Sequence, residues 1–376
     1  MDDEPHIEGE QRRRRFLATA GVAATAGLAG CQGLFGGDDD NVSESATGLI
    51  GYGREGRGEP GGTPMAEMPD LEGELTVYSG RGEFLVGELV EYIEDLYDGF
   101  SLTVRYGGST NLVNQIVNEG DGSPADLFYS VNAGSLGALS DEGRTQALPD
   151  EILEMVRSEF RTDEWIGTSG RARTIPHNTE AYSADDMPND VMTYPDFDGD
   201  LGWAPSYGSC QAFVTAMRII EGEEATREWL EGVVESGIRD YPDEFAACQA
   251  IAGGEIDAAF TNHYYIQRVL DGNPNASIAT AFTEGDAGAV FNVAGAAVVD
   301  TAADATLAGN FVRHLLSAEA QDYFARSTFE YPLIPDVEPI GGLPTIDELD
   351  VPDIDLTQLS DLEPTIDLMR EAGVEV

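Results

Sequence analysis

The sequence predicts an α/β fold with a parallel sheet, in one two-lobed body or two domains. Three observations lead there. Short alternating apolar runs are each followed by apolar residues at helical spacing, so the first part of the body reads β-α-β-α-β. Parallel strands joined through helices take right-handed crossovers. The chain has 376 residues, enough for an ample core, and 41% of them are hydrophobic.

The first strand is Leu75-Thr76-Val77-Tyr78. The loop Ser79-Gly80-Arg81-Gly82-Glu83 follows it, then a helical stripe of Phe84, Leu89, Ile93 and Leu96. Leu102-Thr103-Val104-Arg105-Tyr106 is the second strand, and Gly107-Gly108-Ser109-Thr110 leads into a helix with Leu112, Ile116 and Val117. The third strand is Pro124-Ala125-Asp126-Leu127-Phe128-Tyr129. An extended segment over 169–175 carries Arg171 and Arg173, whose spacing of two points both side chains the same way. They suit an anion held by paired hydrogen bonds, or equally surface salt bridges in an acidic protein. Pro205-Ser206-Tyr207-Gly208-Ser209 opens a helix running to about Ile220. Ser206, Gly208 and Ser209 there offer either a generic anion site at a helix start or ordinary capping. A strand rich in Ala and Val spans 291–299, a helix carries Leu307, Phe311, Leu315 and Leu316, and Phe329-Glu330-Tyr331-Pro332-Leu333 is extended. The acidic, proline-spaced tail from Asp336 ends in a short helix around 366–372.

The stretch Ala258-Ala259-Phe260-Thr261-Asn262-His263-Tyr264-Tyr265-Ile266 reads as a strand feeding a helix, with two phenols at the junction. Such a junction lies at the rim of an α/β sheet, where ligands bind. Phenols are poor ligands for most metals, with an ordinary pKa of about 10. Ferric iron is a hard, highly charged acid able to displace the phenol proton, and a helix N-terminus favours the resulting negative charge. The plainer reading is two core or interfacial tyrosines.

Charge and leader bound the setting. Seventy acidic residues face twenty basic ones, a net charge of -50, and no lysine occurs. Self-repulsion on this scale is screened at molar salt, where the Debye length is about 3 Å, so the composition reads as adaptation to brine. It argues against nucleic acid as a partner, because no basic patch occurs outside the leader. Arg13-Arg14 followed by Phe16-Leu17 resembles a twin-arginine export signal, and Leu28-Ala29-Gly30-Cys31 a lipobox whose cysteine, Cys31, is lipidated after cleavage. The region 32–72, rich in Gly, Asp, Glu, Ser and Pro, is expected to be a disordered tether. Leader, lipid and tether place the body on the outer face of the cytoplasmic membrane. In an exported chain the remaining cysteines, Cys210 and Cys248, form one disulfide or stay as two buried thiols. No Gly-x-Ser-x-Gly, phosphate-loop or dinucleotide fingerprint appears, nor any Cys-His zinc spacing.

From about residue 74 to 335 the chain resembles the ferric-ion-binding substrate-binding proteins of ATP-driven importers. The resemblance rests on Leu75-Thr76-Val77-Tyr78-Ser79-Gly80-Arg81, Pro124-Ala125-Asp126, Ser169-Gly170-Arg171-Ala172-Arg173, Asn262-His263-Tyr264-Tyr265, Gly295-Ala296-Ala297 and Glu330-Tyr331-Pro332-Leu333. It implies a type II periplasmic-binding-protein fold with mostly parallel sheets flanked by helices and a ligand cleft between two lobes. Lobe 1 would comprise 73–171 with 289–335, lobe 2 would comprise 172–288, and 336–376 would be an acidic extension with a closing helix. It further implies a binding protein rather than an enzyme, acting as a monomer, that hands ferric iron to an ABC permease. Tyr264 and Tyr265 match the family's iron-binding pair. Carbonate or phosphate would complete the coordination at Arg171 or Arg173, with Asn262 and the Ser206–Ser209 turn nearby. Many members have a histidine where this chain has Gly82, and one subgroup has a ligand tyrosine that aligns with His177. Glu83 and His177 are therefore the expected replacement ligands. Another cargo in the same fold (thiamine, a polyamine or an oxyanion) and a secreted enzyme remain as alternatives.

Overall fold

The computed structural model describes residues 50, 51, 53 and 57–376. The export signal and Cys31 lie outside them. In chain order the body runs β1 (Gly73–Ser79), α1 (Glu83–Asp95), β2 (Phe100–Tyr106), α2 (Ser109–Glu119), β3 (Leu127–Ser130), α3 (Ala133–Asp141), α4 (Asp150–Leu153) and β4 (Ile166–Asn178). It continues with β5 (Leu201–Trp203), α5 (Gly208–Ile220), α6 (Glu223–Glu235), β6 (Arg239–Asp240), α7 (Glu244–Ala252), β7 (Ala258–Ala259), β8 (Thr261–Asn262) and α8 (His263–Gly272). Then come β9 (Ile278–Ala281), β10 (Phe291–Val298), α9 (Ala305–Leu315), α10 (Ala318–Tyr323) and, at the end, α11 (Glu363–Glu371). No helix among the described residues is long and apolar enough to cross a membrane.

The predicted parallel unit is present: β1 pairs in parallel with β2 and β3, and β5 with β6 and β7. Two strands that sequence pattern alone did not orient make the sheet mixed. β10 runs antiparallel to β3 and β4. β4, 13 residues long, pairs with β10 up to Ala172 and with β8, β9 and β7 from Arg173 onward. One continuous strand thus links the half of the sheet built on β1–β3 to the half built on β5–β9. Val77, Leu127, Phe128, Val293 and Ala296 are buried between the helices on the first half, and Trp203, Phe213, Trp229 and Phe260 form an aromatic cluster on the second.

The expected tether is partly structured. Ile50, Met65, Met68 and Leu71 are buried, and Met65–Glu67 forms a short turn. Arg57 pairs with Asp322 at 3.2 Å, and the Gly61 N–H donates to the Asp336 carbonyl at 3.1 Å. Four widely spaced apolar residues suffice to dock this segment, although the surrounding Gly, Pro and Glu dominate its composition. Phe329, expected within an extended run, takes the left-handed conformation with φ of 61°. It ends the π-helical turn Phe324–Thr328 and so aims Glu330 back into the body.

Candidate functional site

Asn262 ends β8 and caps α8, which places Tyr264 and Tyr265 in the first helical turn. The Asn262 N–H is held by Glu244 Oε2 at 2.8 Å. Beneath the pair, His263 is fully buried. Its Nδ1 accepts from the Ala172 N–H at 3.1 Å and its Nε2 donates to the Phe329 carbonyl at 2.8 Å. Burial, opposed by the backbone contacts, lowers its pKa to about 4. A neutral imidazole with both nitrogens engaged is a spacer that fixes the two tyrosines and leaves no lone pair for a ligand.

A third phenol joins them. Tyr207, at the N-terminus of α5, has its hydroxyl 2.8 Å from that of Tyr265, while the rings of Tyr264 and Tyr265 lie tilted at 43° to each other with centroids 4.3 Å apart. The Arg268 guanidinium lies over both of those rings, at 5.0 and 5.3 Å. The three tyrosines line a cavity of about 180 Å3 together with Arg81, Arg171, Glu330 and the exposed ring of Phe84. A larger chamber of about 370 Å3 adjoins it, sharing Val131, Arg171, Tyr207 and Tyr264, and adding Asn132, Ser135, Gly208, Ser209, Asn262 and Asn292.

The charges around these cavities are unevenly committed. Arg81, fully buried, grips Glu330 through two bonds of 3.1 and 2.6 Å and Ser169 at 3.0 Å. Burial opposes ionisation of Glu330, but Arg81 and then Arg171 outweigh it and hold its carboxyl below the usual range. Arg171 donates to the Val131 carbonyl and makes no ion pair among the described residues. It is thus the cation left to face both cavities. Burial raises both Tyr264 and Tyr265 above the ordinary phenol value, so without a metal they are protonated. A hard trivalent cation would displace those protons and gather the oxygens. Among the described residues no three His, Cys, Asp or Glu side chains cluster as a metal site; the oxygen donors lining the small cavity are the three phenols, the Glu330 carboxylate and the Thr328 hydroxyl.

Several expected site residues lie elsewhere or are otherwise engaged. His177 sits in the second half of β4, opposite Ala258 and Ala279, buried and outside both cavities. Glu83 opens α1 and acts on Tyr106, whose phenol is raised first by burial and then by this carboxylate. Arg173 reaches the chamber wall, but its charge is taken by Glu244 at 2.5 Å, with its guanidinium 4.8 Å above the Phe213 ring. Gly208 and Ser209 line the chamber, although Ser209 Oγ is already bonded to Glu244, and Ser206 is exposed outside it. Asn262 lines the chamber with Nδ2 3.5 Å from the Tyr264 hydroxyl. Cys210 and Cys248 are free, not disulfide-bonded. Burial raises both thiols to about 12, in helices α5 and α7, so neither presents a thiolate. Tyr207, Arg81 and Glu330 were not singled out as site residues. The signal for Tyr207 is a phenol inside a small-residue turn that reads as a generic anion site or a helix cap, with no role for the phenol itself.

The model of the bacterial extracellular solute-binding proteins matches residues 75–330. The chain belongs to that family. This solute-binding protein is 31% identical over 314 residues to the major ferric iron-binding protein of Neisseria meningitidis serogroup A, covering 80% of this chain and 93% of that one. It is 28% identical to iron uptake protein A1 of Synechocystis, covering 84% and 91%. Among solved structures it is similar to iron-bound HitA from Pseudomonas aeruginosa, with a TM-score of 0.69 and 28% identity over 80% of this chain and 99% of that one. These neighbours share the two-lobed type II binding-protein fold. The family acts in solute transport outside the cytoplasm rather than in catalysis.

Proposed function

We propose that this solute-binding protein captures ferric iron through Tyr207, Tyr264 and Tyr265, with an oxyanion such as carbonate or phosphate at Arg171, and delivers it to an ABC permease. The observation that carries the reading is the meeting of three phenols in one cavity beside an arginine that lacks an ion-pair partner. Three phenolates would match the trivalent charge of the ion, and an oxyanion held by the Arg171 fork would fill remaining positions. Ferric iron is the cargo named for the relative at 31% identity, and iron uptake is the role named for the one at 28%. An organic cation fits less well, because Arg81, Arg171 and Arg268 line the small cavity and its carboxylate, Glu330, is already paired with Arg81. In this reading the lobes are 73–171 with 289–335, and 172–288, meeting where β4 changes partners. Export by the twin-arginine route and lipidation at Cys31 would hold the body at the extracellular face of the membrane.

The test is optical. Adding ferric iron with bicarbonate to the stripped protein should produce a visible phenolate-to-iron band. Tyr264→Phe combined with Tyr265→Phe should abolish it while ring volume and fold are kept, and Tyr207→Phe should shift and weaken it. A double variant with an unchanged band would overturn the assignment.

A further inference from the structure

The chamber beside the tyrosines has a wall from a distant part of the chain. Leu356–Ser360 forms a 3-10 turn packed on both α3 and α5, and Leu359, Ser360 and Leu362 line the chamber. α3 follows β3 on one half of the sheet, and α5 follows β5 on the other. The turn therefore spans the two halves directly over the cavity that adjoins Arg171.

Its attachments are unequal. Beyond the turn, α11 packs on α5 and α6, and Thr365 Oγ1 lies 2.7 Å from Thr215 Oγ1 and accepts from Arg218 at 2.9 Å. Before the turn, the Asp350 carbonyl accepts from the Gly285 N–H at 2.9 Å. These anchors are on the half carrying α5, whereas the tie to the other half, Arg157 to Asp347 at 2.7 Å, is a solvent-exposed ion pair of the kind worth about 0 to 1 kcal/mol. On α3 the contact is made against glycines: a Cβ at Gly134 would lie 2.2 Å from Ser360 Oγ, and one at Gly137 would lie 2.7 Å from Thr357 Cγ2. Glycine inside a helix weakens it, so two of them facing the turn mark a close approach that side chains would prevent. Close backbone contact of this kind is firm when seated, but among the described residues it has no hydrogen bond or ion pair to α3 to hold it. The turn thus sits on α3 by packing alone, while the chain after it is hydrogen-bonded to α5.

We propose that residues 356–362 are a strap that forms the outer wall of the anion chamber, and that its lifting from α3 is the step that admits and releases the anion and its iron. This rests on the reading that the tyrosines and Arg171 hold ferric iron and an oxyanion. The strap makes the ligand chamber complete only when the α3 side and the α5 side are together, so closure and capture become one event.

A disulfide between strap and helix tests it. In Gly137→Cys with Thr357→Cys, the built Cβ at 137 stands 2.8 Å from that of Thr357. The strap must yield by about 1 Å to reach the usual separation of about 3.8 Å. The full exported chain is loaded with ferric chloride and bicarbonate, oxidised, and challenged with excess EDTA, and loss of the visible band is timed. The same variant kept reduced is the reference, with disulfide formation checked by mass. Oxidation should slow release, and oxidation before loading should slow uptake, each by roughly tenfold or more. Gly137→Leu, which prises the strap away, should speed both. Equal rates in the oxidised and reduced forms, or a folded Gly137→Leu variant exchanging at the wild-type rate, would overturn the gate. If the wild type never colours with ferric iron, the iron reading itself fails; colour with strap-independent rates sinks only the strap.

Discussion

Arg171 and Arg173 leave one strand two residues apart and end in opposite electrostatic states. Arg173 is buried against Glu244, Phe213 and the Phe260 carbonyl, with its charge cancelled inside the second half of the sheet. Arg171 stands at the point where β4 changes partners, bonded to one carbonyl and otherwise facing the cavities. The difference is a carboxylate: α7 brings Glu244 to Arg173, and Glu330 is captured by Arg81 before Arg171 can pair with it at close range. Of the arginines without an ion pair among the described residues, Arg171 is the one that lines both cavities, which makes it the candidate for a negative ligand. Two cations of the same sequence motif thus divide into a structural one and a candidate binding one.

The comparison is broken most sharply at Arg173. Arg173→Ala strands Glu244 in the interior, and losing one partner of a buried pair costs about 3 to 5 kcal/mol. The expected result is a large drop in the denaturation midpoint at fixed molar salt, with the visible band retained wherever the protein stays folded. A mild stability effect with lost anion dependence would reverse the roles assigned to the two arginines.

Arg171→Ala should do the converse. Removing a hydrogen-bonding charge of this type costs about 1.5 to 3 kcal/mol in the interaction it serves. Iron affinity in bicarbonate should fall by roughly ten- to a hundredfold, and the gain from added bicarbonate or phosphate should vanish. Stability should change little. Wild-type protein binding iron equally well without any anion, and matched by this variant, would remove Arg171 from the site.

The smallest effect concerns pH and sharpens the contrast between buried and open polar groups. Burial holds His177, His263 and His314 below their ordinary value, His263 at about 4. Unfolded, each takes a proton near 6.5, so stability is full above that value and falls as pH descends towards 4. The slope is up to about 1.4 kcal/mol per pH unit for each histidine. His314, whose Nε2 lies 2.7 Å from the Tyr97 hydroxyl far from the tyrosine cavity, is the one to probe. His314→Gln should flatten the midpoint-against-pH curve of the apo protein below about pH 6.5. An unchanged slope would show that this ring carries its proton in the folded state.

Part of the candidate site was legible because its signals are local. Tyr264 and Tyr265 are adjacent, and a run of small apolar residues before them with a helical stripe after them places both in a first helical turn. The β-α-β-α-β order was legible for the same reason, since periodicity and crossover handedness act over short stretches of chain. Tyr207 was not, because nothing within its own turn distinguishes a cap from a ligand; its meaning comes from Tyr265, 58 residues further on. His177 was misread for the converse reason. A strand interior is chemically silent in sequence, and only pairing with Ala258 and Ala279 removes that imidazole from the cleft. The docking of Ile50, Met65, Met68 and Leu71 and the strap at 356–360 depended likewise on which surfaces the rest of the chain presents.

By itself the sequence determined the α/β order, the tyrosine pair at a helix start and the acidic surface, all properties of neighbouring residues or of bulk composition. Only the tertiary structure decided which arginine is neutralised, which third phenol joins the pair, which cysteines stay apart and what covers the chamber. Those outcomes turn on partners tens to hundreds of residues away. A buried charge or hydrogen-bonding group takes its energy from the partner it meets, and no local pattern specifies that partner.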